Sequence, residues 1–562
     1  MQREVSVVNK KVCSFPILFA LLALLIGTCA VVLPASAQAE PTSTGSITVS
    51  GTVASSYDAY QIFSANVVDG DSDAKIATDL AWASDDVRDA ALPVLHSAGM
   101  PKSQTTAQEA AEWLNADSHL TSALSAQLAR SLQSSGAVSV ALNAGTTAEL
   151  PCGYWLIVAD DDAIAQDQAG TAPIMALVGG GAVTVKPKAA TPQGSMRVLE
   201  DGAAAWQKAA DATVGDDLYW RLSATVPAGL SAYDAYAVQF VDTMGAGLDP
   251  SRVAASMHVY VAAGADGGFD AVSAGRDGRA GTEPAKGWTD ITAQCATKVA
   301  ADGTFTVRTG DLIAALGGAD AFAAGARVVA VYDAPLNGAC NHGIAKGNPN
   351  EVYLRYPRSP LADQSGDAGF TRTPSDDACA YTWDLALTKR GSDGDKPLPG
   401  AVLSITDDRG RTLSADGTWD AEGKATVTTG EDGRVTVSGV DSSKLEIREL
   451  KAPKGYTAFK GTRSVTVKAE GLDVDQVAAA KPKLTITAES PLRADSADGS
   501  TGSLEASLIN TPTGTPPSIT TGGFMPSTGD MAMYAAAAVA VVGAALIVVA
   551  LLVKRGGGGH KE

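Results

Sequence analysis

Lys188 is the first residue whose type and position suggest chemistry. It follows Pro187, directly after the β-rich run 182–186. Proline cannot continue the hydrogen-bond ladder of a strand, so the next side chain is presented at a domain edge. A lysine amine becomes a nucleophile once it loses its proton, which the site or an enzyme must assist. Lys188 is therefore a candidate nucleophile with Lys186 as the second choice, and the alternative is a solvated linker lysine.

The remaining reactive side chains do not favour an enzyme. Four histidines lie between the apolar runs near the two ends of the chain: His96, His119, His258 and His342. No two of them have metal-ligand spacing. A G-x-S-x-G elbow is not evident, and no cysteine has an evident local partner. We therefore expect no turnover, no metal ion and no cofactor.

The first residues predict export. Three basic residues precede the apolar run Ile17–Leu33, and small residues at A-x-A spacing follow at 35–37 or 37–39. This pattern is typical of a signal peptide, which we place at residues 1–39; an uncleaved membrane anchor is the alternative.

A second apolar segment, Met531–Val553, lies near the other end. As a helix it would reach roughly 34 Å, enough to cross a bilayer. Lys554 and Arg555 follow at once and favour the cytoplasmic side. The sequence therefore predicts a transmembrane helix at 531–553, a cytoplasmic tail at 554–562 and an outward-facing middle.

The middle part is long, acidic and poor in cysteine. About 490 residues suffice for about three domains of ordinary size. The chain has 62 Asp and Glu against 43 Lys and Arg, which argues against a nucleic-acid partner. Export permits disulfides. The four cysteines outside the signal peptide allow three pairings, of which we favour Cys295 with Cys340; the four are Cys152, Cys295, Cys340 and Cys379.

Short β-rich runs broken by Gly, Asp and Pro dominate this middle part. Thr106 and Glu109 stand at capping-box spacing before an apolar stripe that continues to Leu132, so we predict helix there. Residues 187–217 are poor in large apolar side chains and include two prolines, and residues 358–378 are rich in Ser, Asp, Gly and Pro, so we place a break in each. We therefore place domains at 40–188, 189–365 and 366–512, and a stalk at 513–530.

The C-terminal sequence resembles a sortase cell-wall sorting signal. The pentapeptide Met525-Pro526-Ser527-Thr528-Gly529 precedes the apolar segment and the basic pair, with Met where the usual residue is Leu. The resemblance implies cleavage between Thr528 and Gly529 and transfer of the Thr528 carbonyl, through an enzyme thioester, to an amine. The segment that ends in Lys188 resembles a pilin motif, which implies that this lysine receives the carbonyl.

Further segments resemble Spa-type backbone pilins of Gram-positive bacteria. Residues 45–49 with 60–63 are similar to the opening of the N-terminal domain. Residues 242–248 and 347–354 are similar to the middle domain of fimbrial isopeptide-forming proteins. The family implies three tandem immunoglobulin-like or Cna-B-like β-sandwiches, so we expect a mainly β fold with a helical insertion in the first domain.

The third domain resembles a collagen-adhesin B-type (Cna-B) domain in the order and spacing of four segments: 387–389, 398–401, 448–456 and 508–510. The resemblance implies that Lys389 attacks the side-chain amide of Asn510 while Glu449 shuttles the proton. Burial would favour a neutral amine and a neutral acid. The alternative is a buried ion pair without a bond.

The middle domain departs from that family pattern. Met196 stands where a lysine is expected, and Arg358 stands where an asparagine is expected. We therefore predict no lysine-to-asparagine bond there and at most a structural role for Asp242, with Lys208 as a substitute if the register differs. A disulfide between Cys295 and Cys340 would replace the missing brace.

Together these patterns predict a backbone subunit of a sortase-polymerised pilus, linked from Thr528 to Lys188 of the next subunit and anchored to the cell wall. Expected partners are a sortase, further copies of the chain, accessory pilins, peptidoglycan and a host surface ligand. The alternative is a wall-anchored adhesin, or a minor or tip pilin, that is not polymerised.

Overall fold

The computed structural model describes residues 43–70, 74–116, 118–199, 205–264, 287–323 and 325–514. Within them, strands form six sheets in three consecutive groups, with five α-helices. The mainly β fold with a helical insertion near the start is confirmed. No helix in these ranges is long and apolar enough to cross a bilayer. The predicted signal peptide, sorting motif and membrane span lie outside the described residues.

The first group consists of a three-stranded sheet in the order β5-β1-β8, a second sheet in the order β3-β2-β6-β7 with β4 beside β2, and three helices. The elements are β1 (Thr44–Val49), β2 (Ser56–Asp69), β3 (Lys75–Trp82), α1 (Asp85–Ser97), α2 (Ala107–Asn115), α3 (Ser122–Ser135), β4 (Val140–Asn143), β5 (Thr147–Pro151), β6 (Gly153–Ala159), β7 (Ile174–Val178) and β8 (Val183–Val185).

Strand β2 explains why this group has two layers of core. Tyr57 and Ala59 of β2 belong to the cluster shared with the small sheet, whereas Tyr60 and Ile62 belong to the cluster shared with the helices. A strand that is apolar on both faces has to be covered on both. The small sheet and the helical insertion therefore cover opposite faces of the larger sheet.

The helices begin at side-chain caps. Thr106 and Glu109 form the predicted capping box of α2, and Thr121 caps α3. Helix α1 was not predicted; it contains Pro93, a residue that usually interrupts a helix, and it begins at Ser84, whose hydroxyl accepts from Val87 N.

The second group is a sandwich of a five-stranded sheet, β14-β13-β17-β11-β9, and a seven-stranded sheet, β10-β20-β18-β12-β16-β15 with β19 beside β18. The elements are β9 (Gly194–Leu199), β10 (Ala209–Asp211), β11 (Tyr219–Thr225), β12 (Gln239–Met244), α4 (Val253–Ser256), β13 (His258–Ala262), β14 (Trp288–Asp290), β15 (Ala296–Val299), β16 (Thr304–Arg308), α5 (Leu312–Ala315), β17 (Arg327–Asp333), β18 (Asn348–Pro357), β19 (Phe370–Arg372) and β20 (Asp376–Tyr381).

The boundary predicted at residue 365 lies inside this second group. Strand β20 pairs antiparallel with β18 from Asn348 opposite Ala380 to Val352 opposite Asp376. The Ser-, Asp- and Gly-rich segment after residue 358 is thus a connection within one sheet, and the chain leaves that sheet at Tyr381. Composition alone marks a loop but does not distinguish a loop from a linker.

The third group is a smaller sandwich, with sheets β26-β21-β32-β28 and β24-β23-β22-β27-β29-β30, in which β31 pairs with β32 and β25 with β22. The elements are β21 (Trp383–Gly391), β22 (Val402–Thr406), β23 (Thr412–Leu413), β24 (Trp419–Asp420), β25 (Val427–Thr428), β26 (Arg434–Val440), β27 (Lys444–Lys451), β28 (Tyr456–Thr457), β29 (Thr462–Glu470), β30 (Lys483–Ala488), β31 (Leu492–Asp498) and β32 (Ser503–Pro512).

The first and last strands of the third group are parallel neighbours. Strand β21 pairs with β32 from Asp384 opposite Ser503 to Gly391 opposite Asn510. The chain therefore enters and leaves this sandwich along adjacent strands, and a pulling force applied through the two ends would shear this one pair.

Replacement of Gly153 by alanine tests the packing of strands β2 and β6 in the first group. Its φ is +143°, and a Cβ there would lie 2.0 Å from the carbonyl oxygen of Phe63, beside the irregularity in the β2–β6 register. We expect Gly153→Ala to lower the free energy of unfolding by roughly 3 kcal/mol or more, because the two backbones must move apart. Denaturant titration followed by hydrogen exchange in β2 and β6 peptides measures this loss.

Gly145→Ala is the matched control. Its φ is +76°, but nothing lies within 4 Å of the added Cβ. It should cost only about 1 kcal/mol, the penalty of the backbone conformation alone. Equal losses in the two variants would contradict the steric argument.

Candidate functional site

Three polar side chains meet in the core of the third group, and each ends a series of inward-facing residues. On β21, Lys389 follows Leu385 and Leu387 at a spacing of two. Glu449 follows Leu445 and Ile447 on β27 in the same way, and Asn510 follows Ala506 and Leu508 on β32. Because side chains on a strand alternate between its faces, all three point to the interior.

The three side chains are in contact. Asn510 Nδ2 donates to Glu449 Oε1 at 2.8 Å and to Oε2 at 3.1 Å. Lys389 Nζ lies 3.5 Å from Glu449 Oε1 and donates to the carbonyl oxygen of Leu508 at 3.2 Å. The backbone N–H of Phe459 donates to Glu449 Oε2 at 3.0 Å. The carboxylate thus lies between the amine and the carboxamide.

The cluster is removed from solvent. The side chains of Lys389 and Glu449 have no exposed surface, and Asn510 is buried. Burial lowers the pKa of the Lys389 amine to about 8, although the neighbouring charge of Glu449 acts in the opposite direction. A larger fraction of this lysine is therefore uncharged near neutral pH than of a solvated one. An uncharged amine, a carboxyl group and a carboxamide are the groups required for an acyl transfer.

The second group has a different buried polar cluster, which is centred on Asp242. Asp242 on β12 accepts from Tyr332 Oη at 2.9 Å and from Asn350 Nδ2 at 3.4 Å, and Asn350 Nδ2 also donates to Tyr332 Oη at 2.7 Å. Burial raises the pKa of Asp242 well above its usual range, although these hydrogen bonds oppose the rise. The sequence singled out Asp242 but gave no sign of Tyr332 or Asn350 as its partners, which come from β17 and β18.

None of the three residues that the sequence analysis considered, Met196, Arg358 and Lys208, supplies an amine to Asp242. Met196 is buried on β9, and Arg358 donates to the carbonyl oxygen of Asp161 at 3.1 Å. Lys208 Nζ lies 2.5 Å from Asp376 Oδ2 and donates to the carbonyl oxygen of Asp377 at 2.7 Å. In the structure Lys208 therefore pairs with Asp376 and not with Asp242.

The predicted disulfide between Cys295 and Cys340 is absent from the structure. All four described cysteines are free thiols. Cys295, at the end of a short 3-10 helix, donates from Sγ to the carbonyl oxygen of Ile291, whereas Cys340 lies in the loop after β17. Membership of one domain does not bring two cysteines to bonding distance, which requires a specific Cα separation and direction.

Lys188 and Lys186 lie just beyond β8, and both are exposed. Strand β8 pairs parallel with β1 and ends at Val185, whose carbonyl oxygen accepts from Ser50 N at 2.8 Å. Pro187 then interrupts the pairing, as expected from its missing N–H. Thr528 and the rest of the pentapeptide 525–529 lie outside the described residues.

Replacing Asp242 tests the cost of the buried acid. Because its pKa is raised in the folded state, the folded chain holds a proton that the unfolded chain releases, and stability is lost as pH rises above the usual range of Asp. We expect Asp242→Asn to raise the free energy of unfolding near pH 7 by roughly 1 to 3 kcal/mol, with no gain below about pH 4. Denaturant titration read by hydrogen exchange in β12 and β17 peptides measures both.

The exposed Asp320 provides the control. Asp320→Asn should leave the free energy of unfolding unchanged both near pH 7 and below about pH 4. A gain for Asp242→Asn that is the same at both pH values would show that ionisation of Asp242 is not its cause.

Comparison with known proteins identifies the third group. Residues 384–481 match the family model "SpaA: Prealbumin-like fold domain". The chain is 30% identical over 129 residues to the trypsin-resistant surface T6 protein of Streptococcus pyogenes serotype M6. That match spans 22% of this chain and 22% of the relative.

Two solved major pilins share a broad likeness. The T6 backbone pilin of serotype M6 Streptococcus pyogenes aligns with 85% of this chain and 100% of its own, at 17% identity and a TM-score of 0.46. The full-length major pilin SpaD of Corynebacterium diphtheriae aligns with 84% and 99%, at 15% identity and a TM-score of 0.41. By the family-model match, residues 384–481 form a SpaA-type prealbumin-like domain.

Proposed function

We propose that this chain is the backbone subunit of a covalently linked pilus on the surface of a Gram-positive bacterium. The observation that carries the proposal is the buried contact of Lys389, Glu449 and Asn510 at the ends of three strands. An ordinary core would place apolar residues at these positions, because buried charges and amides add little to stability unless they are fully satisfied. Residues that can join two strands covalently suit a subunit that bears load.

The proposed reaction within the third domain joins Lys389 to Asn510. The uncharged Nζ attacks Cγ of the Asn510 carboxamide, and Glu449 carries the proton from the amine to the leaving Nδ2. The C–N bond of the carboxamide breaks, ammonia leaves and an amide between the two side chains remains. The hydrogen bonds of Asn510 Nδ2 to Glu449 support this role, because the leaving nitrogen already lies against the proton carrier.

The bond would lie where force acts. Lys389 and Asn510 are on β21 and β32, the adjacent strands by which the chain enters and leaves the sandwich. A bond between them would close a loop of about 120 residues and, treated like a disulfide loop, would stabilise the domain by about 4 to 5 kcal/mol. It would also prevent extension of the chain between the two strands.

Polymerisation would use the two ends of the subunit. A sortase would cleave after Thr528 and transfer its carbonyl to Lys188 of the next copy, while accessory pilins and peptidoglycan would be the other acceptors at the shaft ends. The exposure of Lys188 just past the last strand of the first group supports this, because an enzyme-bound acyl group must approach the amine from solvent. The reaction makes the chain a sortase substrate, not an enzyme.

The intramolecular bond is tested by intact mass. We expect the mature protein to weigh about 17 Da less than its sequence requires, because one ammonia is lost. Lys389→Ala and Glu449→Gln should both restore the full mass, whereas the exposed Lys396→Ala should keep the deficit. Full mass in the unaltered protein would contradict the proposed bond.

Polymerisation is tested on the cell-wall fraction of the native host by denaturing gel and immunoblot. The unaltered chain should give a ladder of high-mass species, because the links between subunits are covalent. Lys188→Ala should leave a wall-linked monomer. Thr528→Ala should remove the chain from the wall fraction, because uncleaved chain stays with its membrane segment, and Lys186→Ala is the matched control that should retain the ladder. A single monomer band from the unaltered chain would favour the adhesin alternative.

A further inference from the structure

A cysteine, a histidine and an aspartate meet at the junction of the second and third groups. Cys340 and His342 lie in the loop between β17 and β18, and Asp384 is the second residue of β21. Cys340 Sγ lies 3.8 Å from His342 Nε2, and His342 Nδ1 lies 2.8 Å from Asp384 Oδ1. The second contact is a close electrostatic one and not an aligned hydrogen bond. We call these three residues the thiol triad.

Backbone hydrogen bonds fix the loop that carries the thiol and the imidazole. Gly343 N donates to the carbonyl oxygen of Thr382 at 3.0 Å, and Ile344 N donates to that of Gly499 at 3.0 Å. A Cβ on Gly343 would lie 2.4 Å from Gly502 N, so the two backbones touch. The loop of the second group is thus held on the third, next to β21.

The carboxylate of the triad is also held in place. Asp384 Oδ1 accepts from Ser438 Oγ at 2.6 Å and from Gly439 N at 3.1 Å, both at the end of β26. The aspartate therefore has a fixed position relative to the loop that carries His342.

We propose that Cys340 is a nucleophilic thiol that reacts with low-molecular-weight disulfides, with His342 as its base and Asp384 as the residue that positions His342. Cys340 Sγ attacks one sulfur of the disulfide as its proton passes to His342 Nε2. The S–S bond breaks, a mixed disulfide forms on Cys340, and the leaving thiolate takes the proton from His342 to become a thiol. The small disulfide is reduced as Cys340 is oxidised, so the electrons balance.

Before reaction, the Cys340 thiol of the triad is protonated. Burial raises the pKa of the Cys340 thiol, and the charge of Asp384 adds to the rise. The thiol therefore needs a base within reach, and proton transfer to His342 would place an imidazolium between a thiolate and a carboxylate. His342 is partly exposed, with 26% of its side-chain surface accessible, which gives a small reagent a route to the pair.

The other three described thiols serve as internal references. Cys295 Sγ donates to the carbonyl oxygen of Ile291, and Cys379 Sγ to that of Ala380. Burial raises the pKa of both thiols to about 11. Cys152 accepts from Ser43 Oγ. Among the described cysteines, only Cys340 has a histidine in contact with its sulfur.

The test is labelling of the mature protein with a neutral dipyridyl disulfide, followed by absorbance of the released thiol and peptide mass spectrometry. Cys340 should be modified before Cys295, although Cys295 is the more exposed residue. His342→Ala should slow labelling of Cys340 by roughly tenfold or more, and Asp384→Asn, which keeps an acceptor for Ser438 and Gly439, should slow it less. The rate at Cys295 should stay constant in both variants.

His119→Ala, in the first group, is the matched control and should leave every rate unchanged. Labelling of Cys340 no faster than that of Cys295 would overturn the proposal. An unchanged Cys340 rate in His342→Ala would do the same, as would a disulfide between Cys340 and another cysteine in the exported protein.

Discussion

A lysine amine without exposed surface is the constraint around which the third group is built. Desolvating an ammonium costs several kcal/mol, so the fold must supply partners or favour the uncharged amine. Glu449 and Asn510 reach the same point from β27 and β32, and the carbonyl oxygen of Leu508 accepts from Nζ. As separate polar groups they would weaken an apolar core. Joined as a neutral amide, as we propose, they would replace a buried charge with a covalent brace.

The second group has a buried polar cluster that contains no amine. Asp242, Tyr332 and Asn350 link β12, β17 and β18 by hydrogen bonds alone. Its loop from Cys340 to Ala345 instead binds the third group through backbone hydrogen bonds to Thr382, Gly499 and Ser500. A shaft built this way would combine a covalently braced domain with one that depends on packing and on its neighbour. The thiol triad lies at their junction, where separation of the two groups would take Asp384 away from His342.

Local patterns in the sequence predicted local structure well. The capping box at Thr106 was visible because it involves residues three apart. Lys389, Glu449 and Asn510 came from a family resemblance, but the pattern alone carries a signal: each ends a series of alternating apolar residues. Features that depend on pairing between distant segments were not predictable. The structure has Cys295 and Cys340 as free thiols, and the pairing of β20 with β18 was not foreseen. The Cys340–His342 contact was overlooked, and its third member, Asp384, is 42 positions beyond the histidine in sequence.

Stretching of single molecules tests the central claim, that Lys389 and Asn510 are covalently joined. The full mature chain would be pulled from both ends and compared with Lys389→Ala. The account predicts no unfolding step from the third group in the unaltered protein, and a step of roughly 400 Å in the variant, because about 120 residues become free to extend. The same step in the unaltered protein would show that β21 and β32 are held by noncovalent contacts alone.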